Sequence, residues 1–444
     1  MATPQKLPRI LPPQGVIELS KDLQRAGFQA WCVGGAVRDA LLGHPHLDWD
    51  LATDATPDDV RRIFGGKRTI PVGVEFGTVG VLDRAGVMHE VTTFRRDVDT
   101  DGRHAVVEFG ASLDEDLARR DFTINAIAVS PHDGEVRDPF GGQADLRRGV
   151  VRAVGEPLER MREDRLRALR GIRFTARFGF DLDPATWQAI RASAPHLTRL
   201  SAERVKQELD KTMEQVRAPS TALRLWRESG AAAVLLPELV AASDQALAAV
   251  DCASMPGSAR KPGRRLVRLA ALFGDASPSE IAALAARLRF SRHDGQWIVA
   301  LAERWQSLGQ EVANALVAGE PDRATVRRWV ARIGRTHLHD FFRMAAARWS
   351  AVRQPQRDTM TVPAAQAVHS VYRRSLRAAL KEPVDLRDLV VDGDDLRRSG
   401  IAPGPGLGMI LSRLLEWVVE DPDRNVADRL LDEARRLHSQ LDQT

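Results

Sequence analysis

Two aspartates one residue apart, Asp48 and Asp50, are the side chains in this sequence best suited to bind a metal ion. Apolar and acidic residues alternate from Leu47 to Leu51, and the two-residue period of a β-strand places both carboxylates on one face. Two like charges held that close need a cation, and Mg²⁺ binds through one or two carboxylates together with substrate phosphates. The pattern predicts a magnesium site at Asp48 and Asp50. An exposed strand with two solvated aspartates is the alternative.

A glycine pair, Gly34 and Gly35, stands upstream between a predicted strand and a predicted helix, with Arg38 close by. The bare peptide N–H groups of such a turn and of a helix N-terminus can bind a triphosphate. A third acid, Glu90, lies in the predicted strand Val87–Phe94 and would complete a site for two metal ions. These residues together predict nucleotidyl transfer, although an isolated acid on a strand is also a common solvated residue.

The segments GGAVRDALLG (34–43) and DWD (48–50) resemble the polymerase-β-type nucleotidyltransferase superfamily. Motifs further along the chain are similar to its class II branch, which contains bacterial CCA-adding enzymes and bacterial poly(A) polymerases, and the resemblance extends over nearly the whole chain. It implies an RNA nucleotidyltransferase with Mg²⁺ as cofactor and Asp48, Asp50 and Glu90 as catalytic residues. The substrates it implies are CTP and ATP, and the partner is the 3′ end of tRNA.

The segment DLARRDFTINA (116–126) resembles the part of this family that contacts the ribose and phosphates of the incoming nucleotide. The resemblance implies a binding wall made of five side chains: Asp116, Arg119, Arg120, Asp121 and Asn125. Without the family, the segment is an amphipathic stretch with a solvated cluster of charges.

The segment Glu163-Asp164-Arg165-Leu166-Arg167 matches the EDxxR motif of the family. On a helix, the spacings i,i+3 and i,i+4 would bring Glu163, Asp164 and Arg167 to one side. An aspartate only accepts hydrogen bonds and an arginine only donates them, so the pair is complementary to cytosine and adenine but not to uracil and guanine. The motif predicts base selection by Asp164 and Arg167 without a template, and the family implies that Glu163 holds the arginine. A surface ion pair is the alternative.

Three further segments favour CCA addition among the activities of the family. Residues 72–79 and 138–142 resemble CCA-adding enzymes, residues 95–109 keep the polar loop of enzymes that add the final A, and residues 385–425 resemble the C-terminal region of long bacterial CCA-adding enzymes. We therefore expect template-independent addition of C and A to tRNA, with release of pyrophosphate. An A-adding tRNA nucleotidyltransferase, a poly(A) polymerase and a non-catalytic RNA-binding protein remain alternatives.

The elements that must position these residues form an α+β chain. Strands are predicted at Phe28–Val33, Leu47–Leu51, Gly77–Asp83 and Val87–Phe94, with helices between them, and only helices are predicted from about Pro157 onward. The prediction is a polymerase-β-like head with a mixed or antiparallel sheet, followed by an all-α neck, body and tail. The four parts are the head at 1–155, the neck for base recognition at 156–215, the body at 216–350 and a tRNA-binding tail at 351–444.

Relatives of this length often carry a metal-dependent phosphohydrolase (HD) domain at the position of the body segment. Glycine stands at position 274, before Asp275, where the metal-binding histidine of that domain would be expected. The body is therefore predicted to be a degenerate scaffold without phosphohydrolase activity.

Composition sets the outer limits of these predictions. A chain of 444 residues with 43% hydrophobic and 28% charged residues is typical of a folded globular protein of several domains, and excludes a disordered or fibrous one. A net charge of +4 does not by itself establish a polyanionic partner. Two cysteines cannot build a disulfide framework or a zinc cluster, so a cytoplasmic location is expected. No membrane span, signal peptide or obligate protein partner is evident.

Overall fold

The computed structural model describes residues 10, 12–44, 48–100, 105–253, 263–353 and 362–441, and for residues 97–100, 105–107, 353 and 441 it describes the backbone alone. The chain divides into two compact units, Met1–Val240 and Ala241–Thr444, each of which is considered by itself.

The strands of the first unit are β1 (Ala30–Val33), β2 (Asp50–Thr53), β3 (Thr69–Gly73), β4 (Thr78–Leu82), β5 (Met88–Thr93), β6 (Arg95–Thr100), β7 (Ala105–Phe109), β8 (Ala128–Val129), β9 (Val136–Arg137), β10 (Val150–Val151) and β11 (Asp181–Leu182). Seven of them form one sheet in the order β3-β4-β5-β2-β1-β8-β9. Only β2 and β5 pair in parallel within it, so the sheet is mixed. Strands β6 and β7 form a separate hairpin, and β10 and β11 form a short parallel pair.

The helices of the first unit are α1 (Gln14–Arg25), α2 (Gly35–Leu41), α3 (Pro57–Phe64), α4 (Leu113–Ala118), α5 (Gly142–Arg148), α6 (Pro157–Glu163), α7 (Leu166–Phe178), α8 (Pro184–Ser193), α9 (Ala202–Gln215), α10 (Pro219–Glu228), α11 (Ala231–Leu235) and α12 (Pro237–Ala241). Local sequence explains where α3 and α4 begin. Thr56 and Ser112 each form a capping box with the acid three residues later, which satisfies N–H groups that the first turn leaves open.

Helix α4 is held against the sheet by a hydrophobic cluster. Val33 and Ala52 of the central strands pack with Leu113 and Leu117 of α4 and with Phe94. These side chains are at most 8% exposed, and burial of a Leu or Phe side chain contributes about 1.5–3 kcal/mol. This contact carries the acidic end of α4 toward the ends of β1 and β2.

The predicted strands are confirmed in position, with ends that differ by a few residues. One difference affects the site, because β2 begins at Asp50, whereas the prediction began it at Leu47. Leu47 lies outside the described residues. The prediction of helices alone beyond Pro157 is wrong for β11, where Asp181 and Leu182 pair with β10.

The helices of the second unit are α13 (Asp244–Cys252), α14 (Arg264–Phe273), α15 (Pro278–Arg287), α16 (Arg292–Ala318), α17 (Arg323–Ile333), α18 (Leu338–Arg353), α19 (Ala365–Lys381), α20 (Gly393–Arg398), α21 (Pro405–Glu420) and α22 (Ala427–Leu441). The described residues of this unit contain no strand. Near the C-terminus, Leu396, Ile410, Leu414, Val418 and Leu430 form one hydrophobic cluster. The α+β prediction, a sheet-containing first part followed by helices, is confirmed.

Candidate active site

A cavity of about 380 Å³ lies in the first unit, between the sheet, α4 and α7. It is lined by twelve of the fourteen residues that the sequence predicts for the site: Gly34, Gly35, Arg38, Asp50, Glu90, Asp116, Arg119, Arg120, Asp121, Asn125, Asp164 and Arg167. Asp48 and Glu163 are not among the lining residues. The fold thus brings together residues that are up to 133 positions apart in the chain.

Asp50 and Glu90 lie on neighbouring strands at one end of the cavity. Asp50 begins β2 opposite Val33, and the parallel pairing of Leu51 with Val91 places Glu90 beside it. Burial raises the pKa of Asp50 to about 7, and the charges of Glu90 and Asp48 add to this effect, while Arg120 opposes it. A carboxyl with an ordinary pKa near 4 is thereby held close to half-ionised at neutral pH.

Asp48 is positioned differently from the prediction. It precedes β2 in a segment that is neither helix nor strand, and its side chain is exposed, whereas Trp49 is buried. The prediction that both acids occupy one face of a strand is therefore wrong, because the strand starts only at Asp50. Asp48 is nevertheless close enough for its charge to raise the pKa of Asp50.

The carboxylates fit a hard divalent cation. Among the described residues, no three His, Cys, Asp or Glu side chains converge closely enough to hold a metal ion by themselves. A cation at Asp50 would relieve the repulsion that raises its pKa, and would take further oxygen ligands from water and substrate phosphates. The site is suited to a metal that binds together with its substrate.

The glycine turn leads from β1 into α2. Gly34 has a φ of 76° and a ψ of −137°, a conformation that favours glycine because it has no Cβ. A Cβ at this position would also lie 3.1 Å from Nη1 of Arg120. The backbone conformation therefore favours glycine at position 34, and a larger residue would in addition displace the Arg120 side chain.

Arg38 of α2 is buried beneath the cavity and joins the sheet region to α7. Its Nη1 donates to Oδ1 of Asn125 at 2.5 Å, and its Nε donates to Asp39 at 2.8 Å. The guanidinium carbon lies 5.0 Å from the ring centre of Phe174 and 4.9 Å from that of Phe178. Burial lowers the pKa of Arg38, and the charge of Asp39 works against that shift.

The acidic end of α4 forms one wall of the cavity. Asp116 is buried and lies 3.1 Å from Nη2 of Arg120 and 3.9 Å from Nη1 of Arg119. Its carboxylate therefore holds two cationic side chains at the cavity.

Asp121 is buried at the base of the same wall. Burial works to raise its pKa, but the charge of Arg170 and the hydrogen bonds from Asn125 and Arg170 outweigh burial and lower the pKa to about 2. Nδ2 of Asn125 and Nε of Arg170 donate to different oxygens of this carboxylate, at 2.8 and 2.7 Å. Asp121 is thus a permanently charged anchor for the two side chains.

The EDxxR segment spans a break between two helices. Helix α6 ends at Glu163, Asp164 is extended with a φ of −143°, and α7 begins at Leu166. The prediction that Glu163, Asp164 and Arg167 occupy one side of a single helix is therefore wrong. The break turns Asp164 into the cavity, while Glu163 stays outside it.

Hydrogen bonds hold the side chains of Asp164 and Arg167 in place at the break between α6 and α7. Nη1 of Arg167 donates to Glu163 at 2.5 Å and to the carbonyl of Arg160 at 3.1 Å, and Nη2 donates to the carbonyl of Arg119 at 2.8 Å. Asp164 accepts from Nη2 of Arg204 through Oδ2 at 2.8 Å and from a peptide N–H through Oδ1 at 3.0 Å. The expected contact between Glu163 and Arg167 is present.

Sequence analysis missed four residues that line the cavity: Val33, Thr92, Arg95 and Arg170. Two of them could have been predicted from their spacing to a predicted site residue. Thr92 follows Glu90 by two positions on the same strand, and Arg170 follows Arg167 by three positions on the same helix. Arg204, which pairs with Asp164 from α9, had no local signal because it lies 40 positions away.

Comparison with known proteins identifies the part of the chain that holds the glycine turn and the acids. Residues 30–152 match the family described as the poly A polymerase head domain. This part of the chain is similar to a poly A polymerase head domain. Residues 179–243, beyond the head domain, match the family described as the probable RNA and SrmB- binding site of polymerase A.

Curated relatives of this chain are CCA-adding enzymes. The enzyme of Geobacillus thermodenitrificans is 47% identical over 221 residues, which are 49% of this chain and 54% of the relative. That of Lacticaseibacillus paracasei is 47% identical over 206 residues, or 45% of this chain and 50% of the relative. The chain spans about half the length of the curated relatives it matches.

Solved structures resemble the whole chain. The Bacillus stearothermophilus CCA-adding enzyme in complex with CTP is 29% identical, with a TM-score of 0.76 over 98% of this chain and 100% of the other. The Thermotoga maritima CCA-adding enzyme complexed with tRNA is 19% identical, with a TM-score of 0.63 over 95% and 94% of the two chains, and shows likeness of fold. The predicted resemblance to class II enzymes is confirmed. A divalent metal ion is the usual cofactor of nucleotidyltransferases with this head domain.

Across the described residues, no helix is both long and apolar enough to cross a bilayer.

In the second unit, the segment expected to be a degenerate HD site leaves no room for a histidine. A Cβ on Gly274 would lie 2.7 Å from Cε of Met344 and 2.8 Å from the carbonyl of Ala270. The adjacent Asp275 pairs with Nη2 of Arg348 through both oxygens at 2.5 Å. The acid is therefore neutralised by an arginine within the unit.

We expect the purified protein not to hydrolyse 2′,3′-cyclic phosphates or simple phosphomonoesters with added Ni²⁺, Mn²⁺ or Mg²⁺. The physical reason is that Gly274 supplies no metal ligand and Asp275 is bound to Arg348. Release of the alcohol product is the measurement, and Asp50→Asn is the control that removes any contribution of the head. Metal-dependent hydrolysis that persists in Asp50→Asn would show that the ligands lie elsewhere in the second unit.

Proposed function

We propose that this protein adds C and A nucleotides from CTP and ATP to the 3′ end of tRNA without a nucleic-acid template, releasing pyrophosphate. One observation carries the proposal: a single cavity contains the carboxylates Asp50 and Glu90 together with the donor and acceptor pair Arg167 and Asp164. The likeness of the whole chain to CCA-adding enzymes, one of them bound to CTP and another to tRNA, supports it. Such an enzyme works on tRNA in the cytoplasm, where we place it.

At one end of the cavity, Asp48 and Asp50 would hold Mg²⁺, with Glu90 beside them. When bound, the ion supplies Lewis-acid chemistry to the RNA hydroxyl and the α-phosphate. The triphosphate lies against the N–H groups of Gly34 and Gly35, with positive charge from the arginines of the cavity wall.

The remaining wall orients the nucleotide. Asp116 holds Arg119 and Arg120 at the cavity, where they contact the phosphates and ribose. The side-chain amide of Asn125 donates a hydrogen bond to Asp121 and accepts one from Arg38. These two hydrogen bonds hold the amide in one orientation toward the ribose hydroxyls.

At the opposite end, Asp164 and Arg167 select the base. The three hydrogen bonds of Arg167 use three of its five N–H groups, so the guanidinium keeps donors for a ring nitrogen. Asp164 accepts from the amino group that cytosine and adenine present beside that nitrogen. Glu163 and the carbonyl of Arg119 hold the arginine in place.

The product formed on tRNA that lacks its 3′ CCA tests this function. CTP alone should add C nucleotides, ATP should be needed for the last position, and the two together should extend the RNA by about three nucleotides. A long ladder with ATP alone would instead identify a poly(A) polymerase, and extension only of tRNA ending in CC would identify an A-adding enzyme. No extension of any RNA would leave an RNA-binding protein. The loop at 95–109 that favours addition of A includes residues 101–104, which lie outside the described residues.

A further inference from the structure

An apolar surface lies on the strands next to the catalytic carboxylates. Five large hydrophobic side chains are 39–49% exposed there, and we call them the apolar platform: Ile70, Val72, Phe76, Met88 and Phe109. Single exposed hydrophobic residues are common on soluble proteins, but a cluster indicates a binding surface. The function described above gives this cluster no role.

The platform shares one face of the sheet with Glu90. Directly opposed residues on neighbouring strands point to the same face, and Gly80 is opposed to Ile70 on one side and to Glu90 on the other. A Cβ on Gly80 would lie 2.9 Å from Cγ2 of Val72 and 3.0 Å from Sδ of Met88. Val72 and Met88 therefore cover Gly80 immediately beside the carboxylate.

The aromatic part of the platform lies at the other end of the same strands. Phe76 follows β3, and Cε1 of Phe109 lies 2.6 Å from the place of a Cβ on Gly77. The hydroxyls of Thr78 and Thr92 are 3.0 Å apart, and Thr92 lines the cavity. Arg95, which also lines the cavity, donates through Nη1 to the carbonyl of Phe76. The surface is thus continuous with the candidate active site.

The geometry of phosphoryl transfer determines what can occupy this surface. The attacking oxygen and the leaving pyrophosphate lie on opposite sides of the α-phosphate in an in-line displacement. The glycine turn, where the triphosphate would lie, follows β1, and Glu90 is on β5, two strands away in the sheet. Among the described strands of this sheet, β4 and β3 lie beyond β5, and the platform extends over this side through Met88 of β5 and Ile70 and Val72 of β3. The RNA hydroxyl therefore approaches from the side of the platform.

We propose that the apolar platform binds the unpaired 3′-terminal nucleotides of the RNA, whose bases stack on Phe76 and lie against Val72 and Met88. The proposal rests on the proposed nucleotidyl transfer and names the surface that holds its second substrate. Flat bases can stack on an apolar surface that contains an aromatic ring. Stacking does not depend on the identity of the base, and this suits a surface that must bind a 3′ end whose terminal base changes during addition. Arg95 brings positive charge to the border between the platform and the cavity.

Steady-state kinetics with varied RNA and varied CTP test this assignment. Phe76→Ala should raise the KM for tRNA lacking its CCA by about 5- to 150-fold, the effect of losing one base–aromatic contact. Val72→Asp should also raise this KM, because it places a negative charge on the apolar surface, and both variants should leave the KM for CTP unchanged. Phe76→Trp should restore the RNA KM. The matched control is Val136→Asp, because Val136 is 39% exposed on β9 at the opposite edge of the same sheet, and this variant should change neither constant.

Equilibrium binding of the same tRNA, measured by fluorescence anisotropy, separates this inference from the proposed function because it needs no turnover. Weaker RNA binding by Phe76→Ala and Val72→Asp, but not by Val136→Asp, supports the platform even if no nucleotide is added. Unchanged binding and RNA KM in both variants would overturn it while leaving nucleotide addition intact. A loss of self-association without a change in RNA binding would also overturn it, and would assign the surface to a second copy of this chain.

Discussion

Asp50→Asn is expected to reduce nucleotide addition to the background of the assay, and Asp48→Asn to do the same. Removing a carboxylate that holds the divalent ion removes several kcal/mol of transition-state stabilisation, roughly a thousandfold in rate. Incorporation of labelled CTP into tRNA lacking its CCA is the measurement. Asp58→Asn, an exposed acid in the first turn of α3 and outside the cavity, is the matched control and should keep the parental rate. Normal turnover by Asp50→Asn with Mg²⁺ would remove Asp50 from the metal site.

The melting temperature of Asp50→Asn shows whether its loss of activity is caused by unfolding. The folded protein raises the pKa of Asp50 to about 7, so above pH 7 it holds an ionised carboxylate that the unfolded chain accommodates more easily. The metal-free variant Asp50→Asn should therefore melt at a higher temperature than the parent at pH 8, and this difference should vanish below about pH 3, where the carboxyl is largely protonated in both states. A lower melting temperature at pH 8 would mean that inactivity reflects unfolding.

Asp164→Ala is expected to weaken the preference for CTP and ATP over UTP and GTP. A good bidentate pair contributes about 1–3 kcal/mol of discrimination between bases, or roughly 5- to 150-fold in the ratio of rates, and the variant removes its acceptor. Single-nucleotide incorporation with each of the four nucleotides on one truncated tRNA measures the ratio. The control is Asp181→Ala, an exposed acid of the same unit on β11. Unchanged selectivity in Asp164→Ala would assign Asp164 a structural role, through its ion pair with Arg204 and its hydrogen bond from a peptide N–H.

Exchanging the two charges, with Asp164→Arg and Arg167→Asp, tests the same base selection but also disturbs the neighbouring ion pairs. The new aspartate would lie where Arg167 now contacts Glu163, and the new arginine would face Arg204. Like charges would meet at both positions, so the pair should be exchanged together with Glu163→Gln and Arg204→Gln. With these changes we expect a preference shifted toward UTP and GTP.

Local patterns predicted most of the residues of this site, and failed where the answer depends on distant parts of the chain. The capping boxes at Thr56, Ser112 and Ser277 are each contained in four consecutive residues, so a local pattern is enough to indicate where these helices begin. Strands β8 and β9 have only two residues each, and their pairing is set by the sheet rather than by their own pattern.

The two misplaced acids have one cause in common. A prediction from periodicity extends a strand or helix over every residue that fits its pattern. Asp48 and Asp164 fit the pattern but lie just outside the ends of β2 and α6. No Gly or Pro marks the end of α6 at Glu163, and the extended backbone of Asp164 is stabilised by Arg204, 40 positions later. The sequence could therefore predict which residues act together but not the backbone that presents them.

The packing of Arg38 against Phe174 and Phe178 has a consequence for protein engineering. Together with the 3.0 Å ion pair between Asp39 and Arg177, it connects α2 to α7 across position 155, where the functional parts of the chain were expected to divide. A chimera that joins this head to a foreign neck at 155 would separate a buried cation from its aromatic partners. A recombination point near Val240, where the two compact units divide, would transfer the interlocked residues as one block.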